Sequence, residues 1–206
     1  MRILITAGPT REYLDPVRYV SNASSGRIGA ALAAAAKAQG HHVTLVSGPV
    51  AFEPPQVDEL VAVTSAAEML EAVAARFDAC DVFIAAAAVA DFRPAARADH
   101  KLKKGQGKVT LELEPTADIL AEMGRRKAGQ ILVGFCLESQ NLEARARAKL
   151  DAKGLDLVVA NTPHAIAADR QDALLVFRDG PCEHLTQVTK EDLAARVLAV
   201  VGVAAD

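Results

Sequence analysis

A chain of 206 residues and 21.6 kDa is long enough for one well-buried α/β domain and short for two, so a single domain over residues 1–206 is expected. Apolar residues make up 51% and aromatics only 4%, and the surplus is alanine and valine, which suits helices lying close on a sheet. A net charge of −3 speaks against a general nucleic-acid binder, no apolar run reaches membrane-spanning length, and MRILITAG lacks the flanks of a signal peptide, so a cytoplasmic protein is expected.

Residues 2–6 read as a first strand, followed by a polar loop and by an alanine-rich helix from Arg27 to Gln39 that ends at Gly40. Twenty residues separate Gly8 from Gly29, whereas a dinucleotide fingerprint packs its glycines into a turn of about six. The loop therefore does more than turn. His42 to Gly48 forms a second strand, Leu60 to Val63 a short one, and Ala66 to Phe77 a helix with Met69, Leu70, Val73 and Phe77 at helical spacing. Val82 to Ala86 is a buried strand that runs out into AVADFRP. Arg93 to Lys108 is a polar flap with KLKKGQGK in its middle, and VTLELE alternates like a half-exposed strand. PTADILAEMGRRK reads as a helix with Pro115 and Asp118 in its first turn, QILVGF as a continuous apolar strand, and Ser139 to Lys153 as an amphipathic helix presenting Leu142, Ala146 and Leu150. Asp156 to Asn161 is a further buried strand. ALLVF and CEHLTQV flank RDGP, a hairpin signal, and Thr189 to Val201 closes the chain as a helix with Thr189 at its cap and Asp192 at N3.

Strands and helices in alternation, followed by an antiparallel tail, specify an α/β Rossmann-like three-layer fold: a mostly parallel sheet with an antiparallel extension near the C-terminus. Ligands of such sheets sit outside the carboxyl ends of the strands, here TAGPT, AAAAVAD, GFCLES and VVAN. Gly8, Ser24, Ser25 and Gly26 frame a strand–loop–helix start where backbone N–H groups can receive a phosphate, although the serines alone are better explained as N-caps. Asn22 lies too early to cap, and its amide can donate to a developing oxyanion. The alanines at 85–87 leave room for a flat base, against the plainer explanation of tight packing, and Asp91 just beyond suits a ribose hydroxyl or a base amino group. For KLKK, a triphosphate-gathering flap and a solvated charge run stand level. Lys149 and Lys153 share a helix face and on spacing alone are surface charges paired with Asp151 or Glu143. Cys80, Cys136 and Cys182 form no close pair and read as buried thiols, and the five histidines show no ligand spacing.

ITAGPTRE, DPVRYVSNASSGRIG, VTLVSGPV, AAAVADFRP, KLKK, ADIL and VGFCLES, in that order, resemble the synthetase domain of bacterial coenzyme A biosynthesis, phosphopantothenoylcysteine synthetase (phosphopantothenate–cysteine ligase), from Ile3 to about Asn161. The resemblance implies that 4′-phosphopantothenate and L-cysteine are joined at the expense of CTP through an acyl-cytidylate, with CMP and pyrophosphate released. By motif, Asn22 falls on the asparagine that stabilises the acyl intermediate, Arg18 on an arginine holding phosphopantothenate, and Lys101 on a catalytically important nucleotide-binding lysine. Ala85, Ala86, Ala87, Asp91, Asp118, Ile119, Leu120, Ala121, Phe135, Lys149 and Lys153 fall on nucleotide-contacting positions, which displaces the surface-charge reading of the last two. Mg²⁺ is expected on the phosphates, with no protein ligand set implied. The resemblance also implies a homodimer and, since nothing here resembles the flavin-dependent decarboxylase half of the fused bacterial proteins, no flavin and a separate decarboxylase as a partner. ADIL departs from the commoner Asn-Pro-Asp-Ile-Leu, and Glu138-Ser139-Gln140-Asn141 from Glu-Thr-Glu-Asn. The rivals are a nicotinamide-dependent Rossmann oxidoreductase, whose acid at the end of the second strand is missing because LVSGPVAF offers no carboxylate before Glu53, and a non-catalytic nucleotide-binding module, which has no need of Asn22.

Overall fold

The structure, a computed structural model, describes residues 1–105, 108–166 and 168–204. Gln106 and Gly107 of the flap sequence lie outside the described residues.

In chain order the elements are β1 (Arg2–Ala7), β2 (Arg11–Tyr13), β3 (Tyr19–Ser21), α1 (Arg27–Ala38), β4 (His42–Ser47), β5 (Glu59–Ala62), α2 (Ala66–Phe77), β6 (Val82–Ala85) and β7 (Phe92–Pro94). There follow β8 (Leu113–Pro115), α3 (Ile119–Arg126), β9 (Ile131–Leu137), α4 (Leu142–Lys153), β10 (Leu157–Asn161), β11 (Gln171–Phe177), β12 (Glu183–Val188) and α5 (Lys190–Ala204). An eight-stranded sheet runs β12-β11-β10-β9-β6-β1-β4-β5, parallel from β5 to β10 and antiparallel through β11 and β12, which is the architecture the sequence specifies.

Strand alternation divides the core into two layers. Ile3, Ile5, Val43, Leu45, Val133 and Val159 face α1 and α5, while Leu4, Phe83, Leu132, Val158 and Ala160 face α2, α3 and α4. On the first face α1 lies close because its inner positions are Gly29, Leu32, Ala33 and Ala36. A methyl group added at Gly29 would stand 2.5 Å from Ala7 Cβ, so the helix is seated against the end of β1 only because glycine is there. The capping box of α5 is present: Asp192 N–H donates to Thr189 Oγ1 at 3.0 Å, and Thr189 N–H donates to Asp192 Oδ2 at 3.1 Å.

Several elements differ from expectation. VTLELE forms strand only from Leu113, because β7 offers three residues to pair with and Val109 has no core to face, being 84% exposed. Pro115 ends β8 rather than entering a helix, and α3 starts after Asp118, which is its N-cap. The helix expected from Ser139 begins at Leu142, behind Asn141 in the left-handed region at φ 53°. Ser24 and Ser25 do not cap α1; Gly26 occupies that position at φ 76°, with no side-chain cap bond. The long loop contains an antiparallel ribbon, β2 with β3, that the sequence reading omits. Cys80 and Cys136 are buried, but Cys182 is only half-buried, between Glu143 and Arg147.

Candidate active site

A cleft of about 700 Å³ lies across the carboxyl ends of β1, β6, β9 and β10, lined on one side by the start of α1 and on the other by the start of α3 and the last turns of α4. Of the residues singled out from sequence, Asn22, Ser24, Ser25, Gly26, Ala85, Ala86, Ala87, Asp91, Asp118, Ile119, Leu120, Phe135, Lys149 and Lys153 line it. Gly8, Arg18, Lys101 and Ala121 do not.

The start of α1 can receive an anion. Ser24 Oγ accepts from Gly26 N–H at 3.3 Å and Ser25 Oγ from Arg27 N–H at 3.5 Å, so both hydroxyls serve the turn and leave the next N–H groups of the helix uncapped. No acidic residue occupies the first turn, and the positive end of the helix dipole faces the cleft. Gly8 supports this turn from behind: a Cβ on Gly26 would approach Gly8 Cα to 3.0 Å.

Asn22 stands at the cleft mouth with its Nδ2 donating to the carbonyls of Ala88 at 3.2 Å and Val89 at 2.9 Å. The expected oxyanion donor therefore has its N–H groups engaged in this arrangement, and Oδ1 is the atom left for a ligand. The alanine-rich segment beneath is fixed by threonines absent from the sequence reading. Ala87 N–H donates to Thr6 Oγ1 at 3.3 Å, Ala90 N–H to Thr10 Oγ1 at 2.9 Å, and Thr116 Oγ1 to Ala90 carbonyl at 2.6 Å.

On the opposite wall Lys153 pairs with Asp118 at 2.6 Å, and Lys149 Nζ donates to Phe135 carbonyl at 2.6 Å. Asp118 also caps α3 by accepting from Ala121 N–H at 2.9 Å, which is why Ala121 offers that donor to nothing else. Burial alone would raise the Asp118 carboxyl, but Lys153 and the Ala121 N–H outweigh it and hold the group below its ordinary value. Burial pulls Lys149 below the usual lysine range, and the neighbouring Lys153 charge adds to the effect. Lys153 is thus partly neutralised by Asp118, and the charged form of Lys149 is disfavoured until an anion enters the cleft, whose charge would favour it.

Arg18 is committed elsewhere. Its guanidinium pairs with Asp15, and its NH2 also donates to Leu102 carbonyl at 2.5 Å. Asp15, fully buried, accepts in addition from Val17 N–H at 2.8 Å, Arg18 N–H at 3.0 Å and Leu102 N–H at 3.1 Å. These bonds lash the flap, at Leu102, to the turn of the β2–β3 ribbon. Burial opposes ionisation of Asp15, but Arg18 and the three N–H groups prevail and hold the carboxyl far below the carboxylate range. Because the folded pKa is depressed, the stabilisation is complete above the unfolded value of about 4 and is lost as pH falls below it. Asp15→Asn is expected to lower the urea midpoint at neutral pH and to flatten its acid limb below about pH 5; an acid limb as steep as that of wild type would assign the acid sensitivity to other carboxylates.

The cleft also contains Asn161, the polar end of VVAN, together with Gln171 and Lys190, which the sequence reading missed. Asn161 ends an apolar strand and carried a usable signal; Gln171 and Lys190 carried none. Among the described residues no group of three or more His, Cys, Asp or Glu is placed to hold a metal ion, and no helix is long and apolar enough to cross a membrane.

Residues 1–203 match the family described as the DNA/pantothenate metabolism flavoprotein C-terminal domain. The coenzyme A biosynthesis bifunctional protein CoaBC of Bacillus subtilis (strain 168) is 48% identical over 201 residues, 95% of this chain and 50% of that protein. CoaBC of Escherichia coli (strain K12) is 48% identical over 206 residues, 96% of this chain and 50% of that protein. The crystal structure of the C-terminal domain of a CoaBC superposes with a TM-score of 0.86 at 40% identity, covering 98% of this chain and 94% of that one. The chain thus spans about half the length of the curated relatives it matches.

Proposed function

The chain belongs to the family of the DNA/pantothenate metabolism flavoprotein C-terminal domain, and from that membership we propose that it is a phosphopantothenate–cysteine ligase using CTP. The observation that carries this reading is the pairing, in one cleft, of an uncapped helix start beside Asn22 with the Lys149–Lys153–Asp118 wall. One side can take a phosphate, the other is positive enough to draw in a nucleotide polyphosphate, and the alanine floor between them admits a flat base.

In the first step an oxygen of the 4′-phosphopantothenate carboxylate bonds to the α-phosphorus of CTP, and the bond from that phosphorus to the bridging oxygen breaks to release pyrophosphate. In the second, the cysteine nitrogen bonds to the acyl carbon, the acyl–oxygen bond breaks, and CMP leaves as the amine gives up a proton. The chain's part is to gather and orient: the α1 N–H groups and the two lysines meet phosphoryl charge, and Asn22 stands over the reacting carbonyl. No atom changes oxidation state, so the reaction calls for no flavin. Mg²⁺ would enter with the nucleotide as counter-ion of its phosphates and would supply charge neutralisation there, since among the described residues no group of three or more His, Cys, Asp or Glu is placed to hold it.

A homodimer belongs to the same proposal. Val17, Tyr19, Phe92, Leu102, Val109, Leu111 and Leu113 are large apolar residues left exposed on the two small ribbons and the adjoining flap, a concentration that suits burial against a second copy. A cytoplasmic location and association with a separate decarboxylase complete it; the relatives are named as bifunctional proteins. Purified protein given Mg²⁺, CTP, 4′-phosphopantothenate and cysteine is expected to form CMP and pyrophosphate in equal amounts. CDP and phosphate in their place would replace the acyl-nucleotide route with an acyl phosphate.

A further inference from the structure

Two buried amides at one end of the cleft are left with polar atoms that the fold does not use. Asn161, the last residue of β10, is 8% exposed, and Gln171, the first of β11, is 6% exposed. Asn161 Nδ2 donates to Gln171 Oε1 at 3.3 Å, which leaves Asn161 Oδ1 and Gln171 Nε2 buried without a partner among the described residues. Turning both amides over changes only which residue supplies which atom: one acceptor and one donor remain, side by side. Unpaired buried polar groups are unfavourable, and a pair of them lining a cleft marks a place where a ligand completes the bonding.

The alternation of the strands tells which wall this is. Asn161 follows Val159 and Leu157 on the face toward α1 and α5, and Gln171 precedes Ala173 and Leu175 on the same face. Lys149 belongs to the other side of the sheet with Leu150 and Ala146. The amide pair is therefore separate from the lysine wall. Lys190, at the start of α5, lines the cleft on this side; its Nζ donates to Ala168 carbonyl at 2.6 Å, leaving two of its three N–H bonds to give.

A phosphate does not fit the pair, since the orphan carbonyl oxygen would face an anion with no proton between them. What fits is a ligand carrying a donor and an acceptor on neighbouring atoms, the acceptor being anionic enough to draw Lys190. An α-amino acid has that pattern, with an amine and a carboxylate on one carbon. We propose that Asn161, Gln171 and Lys190 form the subsite for the amino-acid substrate, the carbonyl oxygen accepting from the amine and the amide N–H and Lys190 receiving the carboxylate. This rests on the ligase reading. It makes these positioning residues for the attacking nitrogen and a filter that favours cysteine over an amine lacking a carboxylate.

The test compares cysteine with cysteamine, which keeps the amine and thiol and lacks the carboxylate, in wild type, Gln171→Leu and Lys190→Gln. Wild type should prefer cysteine. Both variants should raise KM for cysteine by about tenfold or more, leave KM for CTP within about twofold, and narrow the preference over cysteamine. Gln171→Asn, which keeps the donor, should recover part of the loss. Lys190→Gln changes only the half-buried first residue of α5, so it remains informative if Gln171→Leu folds poorly. A rise in KM for CTP or phosphopantothenate with cysteine unaffected would give the amides to a base edge or to the pantothenate amide and overturn the proposal, as would variants unchanged in all three. Wild type that releases no pyrophosphate from CTP and phosphopantothenate would instead remove the ligase reading itself, an outcome visible before any variant is made.

Discussion

Asn22→Ala is expected to release pyrophosphate in a single turnover yet complete the ligation slowly, so that acyl-cytidylate accumulates and is detected by mass spectrometry of the quenched mixture. In the first step the attacking group is already a carboxylate, and charge develops on phosphoryl oxygens, where the lysines and the α1 N–H groups lie. In the second step charge develops on the acyl oxygen, and an amine must be steered to the acyl carbon. Asn22 can serve that step in two ways: by exchanging a bond to the Ala88 or Val89 carbonyl for the acyl oxygen, or by offering its free Oδ1 to the amine. Losing one such contact lowers the rate roughly a hundred- to a thousand-fold, about 3–4 kcal/mol of barrier. Asn22→Asp should be worse still, since its oxygens would face two carbonyl oxygens where N–H groups now donate. A pyrophosphate burst as slow as overall turnover, with no intermediate, would move Asn22 to activation or to substrate positioning.

What the sequence made legible is what periodicity and end signals encode. The order of strands and helices, the antiparallel tail and the capping box at Thr189 all follow from apolar spacing and cap chemistry that act within a few residues. The misreadings share a different cause. VTLELE has the alternation of a strand but finds only β7 beside it, and whether a strand has a neighbour is a long-range fact. Ser24 and Ser25 are good capping residues displaced by Gly26, which adopts φ 76° where a side chain would run into Val50 and Gly8. The site divides in the same way. Asn22, the alanine floor and the two lysines were read from motifs, whereas Gln171 and Lys190 enter the cleft only because β11 turns back beside β10 and α5 follows. The threonines that pin the floor, Thr6 and Thr10, are ordinary residues in the sequence and become structural only through bonds to a segment some eighty positions away.

Lys101→Gln is expected to lower turnover by about a hundredfold, as for removal of a single preorganised charge donor, while moving the thermal midpoint little, because the residue is exposed and a surface charge contributes about half a kcal/mol or less. The structure adds a condition. Lys101 does not line the cleft of its own chain, and the next residue is tied down, Leu102 giving its N–H to Asp15 and its carbonyl to Arg18. The flap base is therefore pinned to the β2–β3 ribbon, among the exposed apolar residues assigned above to a dimer contact. If Lys101 serves a nucleotide, it does so either after release of this anchor, within its own chain, or by extending from one copy over the cleft of the other. Mixing the inactive variants Lys101→Gln and Asn22→Ala separates the two routes. If the lysine crosses, half the randomly mixed dimers have one site with both residues intact, and about a quarter of wild-type sites should return. If it acts within its own chain, every site lacks one residue and no activity returns. Full turnover in Lys101→Gln alone would reduce KLKK to a solvated charge run and leave Lys149 and Lys153 as the cations that gather the triphosphate.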